Sequence, residues 1–69
     1  MVLSLNGEIW AIEIKRTLTP KLSKGFVIAV EDIQARHKYC VYAGSDFFPI
    51  GSGTFAISLK DIMLKLKAL

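Results

Sequence analysis

The sequence predicts an α/β (α+β) domain in the order β-β-α-β-β-α, a mixed sheet of about four strands with two helices. Three observations carry that prediction. Asn6-Gly7 separates two runs of strand formers, "VLSL" and "EIWAIEIK"; both central residues of a type I′ hairpin turn need φ > 0, which Asn and Gly tolerate. Leu22, Phe26, Ala29, Val30 and Ile33 then recur at the spacing of one helical stripe. Leu59, Ile62, Met63, Leu66 and Leu69 form a second such stripe after two short β-rich runs. A crossover helix between strands favours some parallel pairing.

The second strand runs from about Glu8 to Lys15. Trp10, Ile12 and Ile14 share one face, while Ile9, Ala11, Glu13 and Lys15 share the other, because successive side chains point to opposite sides of a strand. The first helix is expected over about Pro20 to Ala35, with Thr19 as its cap and Pro20 at its first position. Gly25 within it is expected to mark a close approach to the sheet. "KYCVYAG" reads as a short strand ended by Gly44-Ser45-Asp46. "FFPIGSG" reads as a loop because of Pro49, Gly51 and Gly53, and "TFAIS" as a further strand. Ser58 followed by Asp61 starts the last helix in the manner of a capping box.

Sixty-nine residues make one domain. A chain of that length buries only about 60% of the surface its unfolded form exposes. Yet 52% of the residues are hydrophobic, more than a small domain hides unaided, so a homo-oligomer, specifically a dimer, is expected. Val2, Leu3 and Leu5 lie on an N-terminal strand that nothing protects. The net charge is +3 and the isoelectric point about 9.3, which permits nucleic-acid binding without requiring it. Cys40 and His37 are single, which excludes an internal disulfide and a structural zinc site built from them alone. The N-terminus lacks the pattern of a secretory signal, and no apolar run approaches a membrane span. A reducing cytoplasm is the expected compartment.

Glu13 and Lys15 pose the central question, since they interrupt the most apolar strand of the chain. Two residues apart, they point to the same face, and small Ala11 leaves room beside them. Glu13, with the backbone carbonyl of Ile14, offers hard oxygen ligands to a weakly held Mg²⁺ or Mn²⁺, and Lys15 offers a positive charge to a phosphate. The alternative is a charged pair at the end of an ordinary strand.

A hairpin whose second strand ends in apolar-Glu-apolar-Lys, followed by a helix and two strands, resembles the PD-(D/E)XK nuclease superfamily. "IEIK" matches its E-x-K half-motif at Glu13 and Lys15. "GEIWAIEIKRTLTPKLSKGF", "YCVYAGSDFFPIG" and "ISLKDIMLKL" look like the C-terminal domain of a prokaryotic AAA-type ATPase family, in which an N-terminal P-loop ATPase precedes a nuclease-like domain of uncertain role. The resemblance implies a partial restriction-endonuclease-like fold, with Glu13 and Lys15 as a vestigial catalytic pair and Glu13 as a metal ligand. It implies a divalent-metal-dependent phosphodiesterase if the site works at all. One departure counts against catalysis. The superfamily's second metal ligand is an Asp on the preceding hairpin strand, but here that strand is "MVLSL" and Glu8 has the wrong side-chain parity. The chain is therefore expected to be the C-terminal part of a longer protein without robust activity of its own. It has no Gly-rich P-loop, so ATP binding is not expected.

Arg16, Lys21 and Lys24 follow Lys15 closely and could face a phosphate backbone or simply be solvated. Lys21 and Lys24 are ill placed for the dipole at a helix start. Ser23 either bonds a phosphate or sits exposed. Phe47 and Phe48 either stack on bases or anchor a loop. Trp10 and Cys40 read as core residues, and His37 has no triad partner along the sequence. Three functional classes remain: a degenerate nuclease-like domain, a self-association or protein-binding module, and a sequence-independent DNA-binding module.

Overall fold

The computed structural model describes all 69 residues. The elements are β1 (Val2–Leu5), β2 (Glu8–Ile14), α1 (Lys24–Ile33), β3 (His37–Tyr42), β4 (Phe48–Gly51), β5 (Thr54–Ser58) and α2 (Leu59–Lys67). The strands form one five-stranded mixed sheet in the order β1-β2-β3-β5-β4. β2, β3 and β5 are parallel, and the hairpins add an antiparallel strand at each side.

The hairpin turn has the predicted conformation, with Asn6 at φ 51° and Gly7 at φ 79°. The sheet gains a fifth strand where the sequence reads as a loop. Positive φ at Gly51, Ser52 and Gly53 confines the turn to those residues. The preceding Phe48 and Pro49 are thereby free to pair with Ala56 and Phe55. Pro49 is tolerated because β4 is an edge strand.

The first helix also starts later than its spacing predicts, at Lys24 rather than near Pro20. The N–H of Lys15 donates to the carbonyl of Val41, and that of Ala43 to the carbonyl of Thr17. Those bonds hold the chain after β2 against the end of β3, so it cannot yet coil. Ser23, not Thr19, caps the helix, its hydroxyl accepting from the Phe26 N–H at 3.1 Å. Gln34 ends the helix in the left-handed conformation. A Cβ at Gly25 would meet nothing within 4 Å, so that glycine does not mark a close approach. The second helix begins as predicted, with the Ser58 hydroxyl accepting from the Asp61 N–H at 3.1 Å.

The helices cover opposite faces of the sheet. Trp10, Ile12, Tyr39, Val41 and Ile57 form the larger cluster with Ile62 of α2, and Leu3, Leu5 and Leu66 pack at its margin. Ala11 packs with Val30 of α1 and Ala35, flanked by Ile9, Phe26 and Ile33. Burial on both faces explains why β2 is apolar on both sides for most of its length. Ile14 departs from the predicted apolar face. It remains 60% exposed, while Trp10 and Ile12 on the same face are buried. No helix is long and apolar enough to cross a membrane.

Candidate functional site

Glu13 lies near the C-terminal end of β2, on the face that α1 covers. Its Oε1 accepts a hydrogen bond from the Ser23 hydroxyl at 2.8 Å, and its Oε2 accepts a longer one from the Ser23 N–H at 3.4 Å. Lys15 Nζ stands 3.5 Å from Oε1. The Ser23 hydroxyl thus works in both directions, accepting from Phe26 and donating to Glu13. The Glu13 side chain is only 16% exposed.

This arrangement has an electrostatic cause. The first turn of α1 contains no acidic residue of its own, and its first residue is Lys24. A helix start carries unsatisfied N–H groups and partial positive charge, and a nearby carboxylate is favourable there. β2 supplies that carboxylate across the sheet–helix gap. Ser23, expected as exposed or phosphate-binding, is instead the joint between strand and helix. The spacing places the cap at Thr19 and so misses Ser23, and the partnership of Ser23 with Glu13 spans ten positions.

Glu13 stands opposite Cys40 in the parallel ladder, and Cys40 opposite Ala56. Cys40 is fully buried. Burial pushes its thiol up, the Glu13 carboxylate pushes it further, and Lys15 opposes both. A thiol held protonated in this way is neither a nucleophile nor a ready metal ligand.

The room that Ala11 leaves is a largely apolar cavity of about 500 Å³ between α1 and the β1–β2 hairpin. Glu13 and Ser23 are among its few polar lining residues.

The donor set does not fit a hard divalent cation. Mg²⁺ takes about six oxygens in near-octahedral geometry. Glu13 is one carboxylate already engaged by Ser23 and Lys15, and no three His, Cys, Asp or Glu residues come together as a metal-binding group. Ile14, whose carbonyl was the second expected ligand, lies beside Val41 in the sheet register, while the Val41 carbonyl accepts from the Lys15 N–H. Glu8 faces the opposite side of the sheet from Glu13. There it pairs with Arg36 at 2.9 Å and with His37 at 3.1 Å. The His37 hydrogen bond holds its carboxyl below the usual range, aided by the positive charges of His37 and Arg36. Trp10 stacks on the His37 ring at 4.3 Å. His37 therefore has a carboxylate partner that the sequence did not reveal, since the two lie 29 positions apart.

Arg16, Lys21 and Lys24 are all exposed and form no ion pair. Phe47 is exposed and stacks on Phe55 at 5.0 Å, while Phe48 meets the edge of Tyr42 at 5.7 Å.

A family model described as "Domain of unknown function (DUF4143)" matches residues 1–62. The chain belongs to this family. Uncharacterized proteins of Mycobacterium bovis and Mycobacterium tuberculosis are each 32% identical to this DUF4143 chain over 63 residues. The matches cover 91% of the chain and 14% of each relative. This DUF4143 chain thus corresponds to a small part of those longer proteins. No solved structure matches it.

Proposed function

We propose that this DUF4143 chain is a restriction-endonuclease-like module, related to the C-terminal domain of the AAA-type ATPase family, that binds rather than cleaves. In this reading the E-x-K pair has been turned from metal chemistry to architecture. One observation carries it: both carboxylate oxygens of Glu13 are directed to Ser23 at the start of α1. A hard divalent cation here would compete with Ser23 and with the Lys15 ammonium for those oxygens, with no cluster of further acidic ligands beside Glu13 to help hold it. The experiment is a calorimetric titration with Mg²⁺ and Mn²⁺ at millimolar concentrations, paired with plasmid nicking. The expected result is no heat and no nicking that Glu13→Gln removes. Glu13-dependent heat together with Glu13-dependent nicking would restore the catalytic reading.

A second reading concerns what is bound. The exposed, unpaired Arg16, Lys21 and Lys24 near the start of α1 favour an anionic partner, and a nucleic-acid backbone is the partner considered. Such binding is independent of sequence and falls steeply with salt, because it releases counterions. Lys21→Glu combined with Lys24→Glu is expected to abolish retention on duplex DNA at low salt. Unchanged binding by the doubly substituted protein would exclude this surface.

A further inference from the structure

We propose that the free edge of β1 pairs antiparallel with β1 of a second copy, around a two-fold axis beside Leu3, joining two five-stranded sheets into one. The inference goes beyond the reading of Glu13 and does not depend on it.

The β1–β2 ladder fixes which backbone groups are free. The Met1 amino group donates to the Ile12 carbonyl at 2.8 Å, and the Ile12 N–H donates to the Met1 carbonyl at 2.8 Å. In an antiparallel ladder such doubly bonded pairs alternate with unbonded ones. Given the register, Leu3 with Trp10 and Leu5 with Glu8 are the next bonded pairs. The N–H and C=O groups of Val2 and Ser4 therefore point away from β2, towards the open edge.

Those four groups match themselves. With Leu3 opposite Leu3 of the second copy, Val2 faces Ser4 on both sides of the axis and all four bonded positions are filled. Centring on Ser4 brings Asn6, already in the turn at φ 51°, opposite Val2 and fills two. The Leu3-centred register satisfies all four outward groups with residues of β1 alone. It also places the two Leu3 side chains in an unbonded pair, the position of closest approach between strands. Leu3 already packs at the margin of the large core cluster, so the pairing carries that core across the seam.

The two edges of the sheet differ in a way that points to a dimer. β4 is blunted by Pro49, which lacks an N–H, and by a register shift between Pro49 and Gly51. β1 carries no Pro, no charge and no bulge, and Val2 is 58% exposed. Proteins guard edges with just such devices, and their lack leaves a strand open to pairing. With β4 blocked, β1 pairing about a two-fold axis closes on itself and does not propagate.

Sedimentation of the chain at micromolar concentration should give about twice the 7.7 kDa monomer mass. Mild oxidation of Leu3→Cys should give a disulfide-linked dimer. Ser4→Cys should not, since its two copies are diagonal neighbours offset by two residues, about 7–8 Å apart and beyond disulfide reach. Cys40 is buried and does not compete. Ser4→Pro removes an outward N–H without touching the β2 ladder and should yield a folded monomer. A parent chain that stays monomeric, or equal cross-linking through positions 3 and 4, would overturn the proposal. So would a folded Ser4→Pro variant that remains dimeric. If Ser4→Pro fails to fold, the two cysteine variants decide alone. None of these outcomes bears on the metal titration, so the two readings fail separately.

Discussion

Gly44→Ala is expected to destabilise the chain by about 1–3 kcal/mol, the range for forcing extra atoms into a filled site. A Cβ at Gly44 would lie 2.3 Å from Tyr42 Cε2 and 2.7 Å from its Cζ. The tyrosine cannot swing aside cheaply. Its hydroxyl donates to the Asp46 carbonyl at 2.9 Å and accepts from the Asp46 N–H at 2.8 Å. Its ring also meets Phe48 edge-on and is buried. The substitution must therefore break the Tyr42–Asp46 clasp or displace the turn that leads into β4. For a small domain each kcal/mol lowers the melting temperature by roughly 4–8 °C, so thermal unfolding followed by far-UV dichroism reads the effect directly. The same change at Gly25, where a Cβ meets nothing within 4 Å, should be neutral or mildly stabilising because alanine favours a helix. Equal melting temperatures for the parent and Gly44→Ala would show that the clasp yields without loss.

Local signals in the sequence were sufficient for the hairpin, the strands at "KYCVYAG" and "TFAIS", and the second helix. Each rests on neighbours within a few residues: Asn6-Gly7 for the turn, short β-rich runs bounded by turn residues for β3 and β5, and Ser58 with Asp61 for α2. Elements decided by distant partners were misread. β4 looks like a loop because Pro49, Gly51 and Gly53 dominate the run "FFPIGSG" that contains it, and only pairing with β5 makes it a strand. The first helix looks longer because Leu22 fits its stripe, yet the bonds from the Lys15 N–H to the Val41 carbonyl and from the Ala43 N–H to the Thr17 carbonyl tie the preceding chain to the end of β3. The candidate site divides in the same way. That Glu13 and Lys15 share a face follows from strand parity. That Ser23 consumes the carboxylate depends on how α1 docks, and parity says nothing of that. The absence of a second acid on "MVLSL" was visible in the sequence, and Glu8 does sit on the opposite face, as its parity predicts.

The sign of the stability change at Glu13 separates an architectural carboxylate from a catalytic one. A residue kept for catalysis commonly sits in a strained or repulsive setting, and removing it often leaves stability unchanged or raises it. Glu13 has the opposite surroundings. It receives the Ser23 hydroxyl at 2.8 Å, stands 3.5 Å from Lys15 Nζ, and supplies the negative charge that the first turn of α1 lacks. Hydrogen bonds to charged groups contribute about 1.5–3 kcal/mol each, and a carboxylate at a helix start adds about 0.3–1 kcal/mol. Partial exposure and the long Ser23 N–H contact bring the sum towards the lower end, so Glu13→Ala should cost about 2 kcal/mol in urea denaturation. Glu13→Gln keeps an acceptor for Ser23 but loses the charge, and should fall between parent and alanine variant. Ser23→Ala should also destabilise, since it removes the cap of α1 as well as the link to β2. A double-mutant cycle then isolates the link itself, with an expected coupling of about 1–2 kcal/mol for two groups in direct contact. A coupling near zero would mean that the helix is held by its apolar stripe alone. Glu13→Ala at or above parent stability would return the carboxylate to the class of groups kept for chemistry.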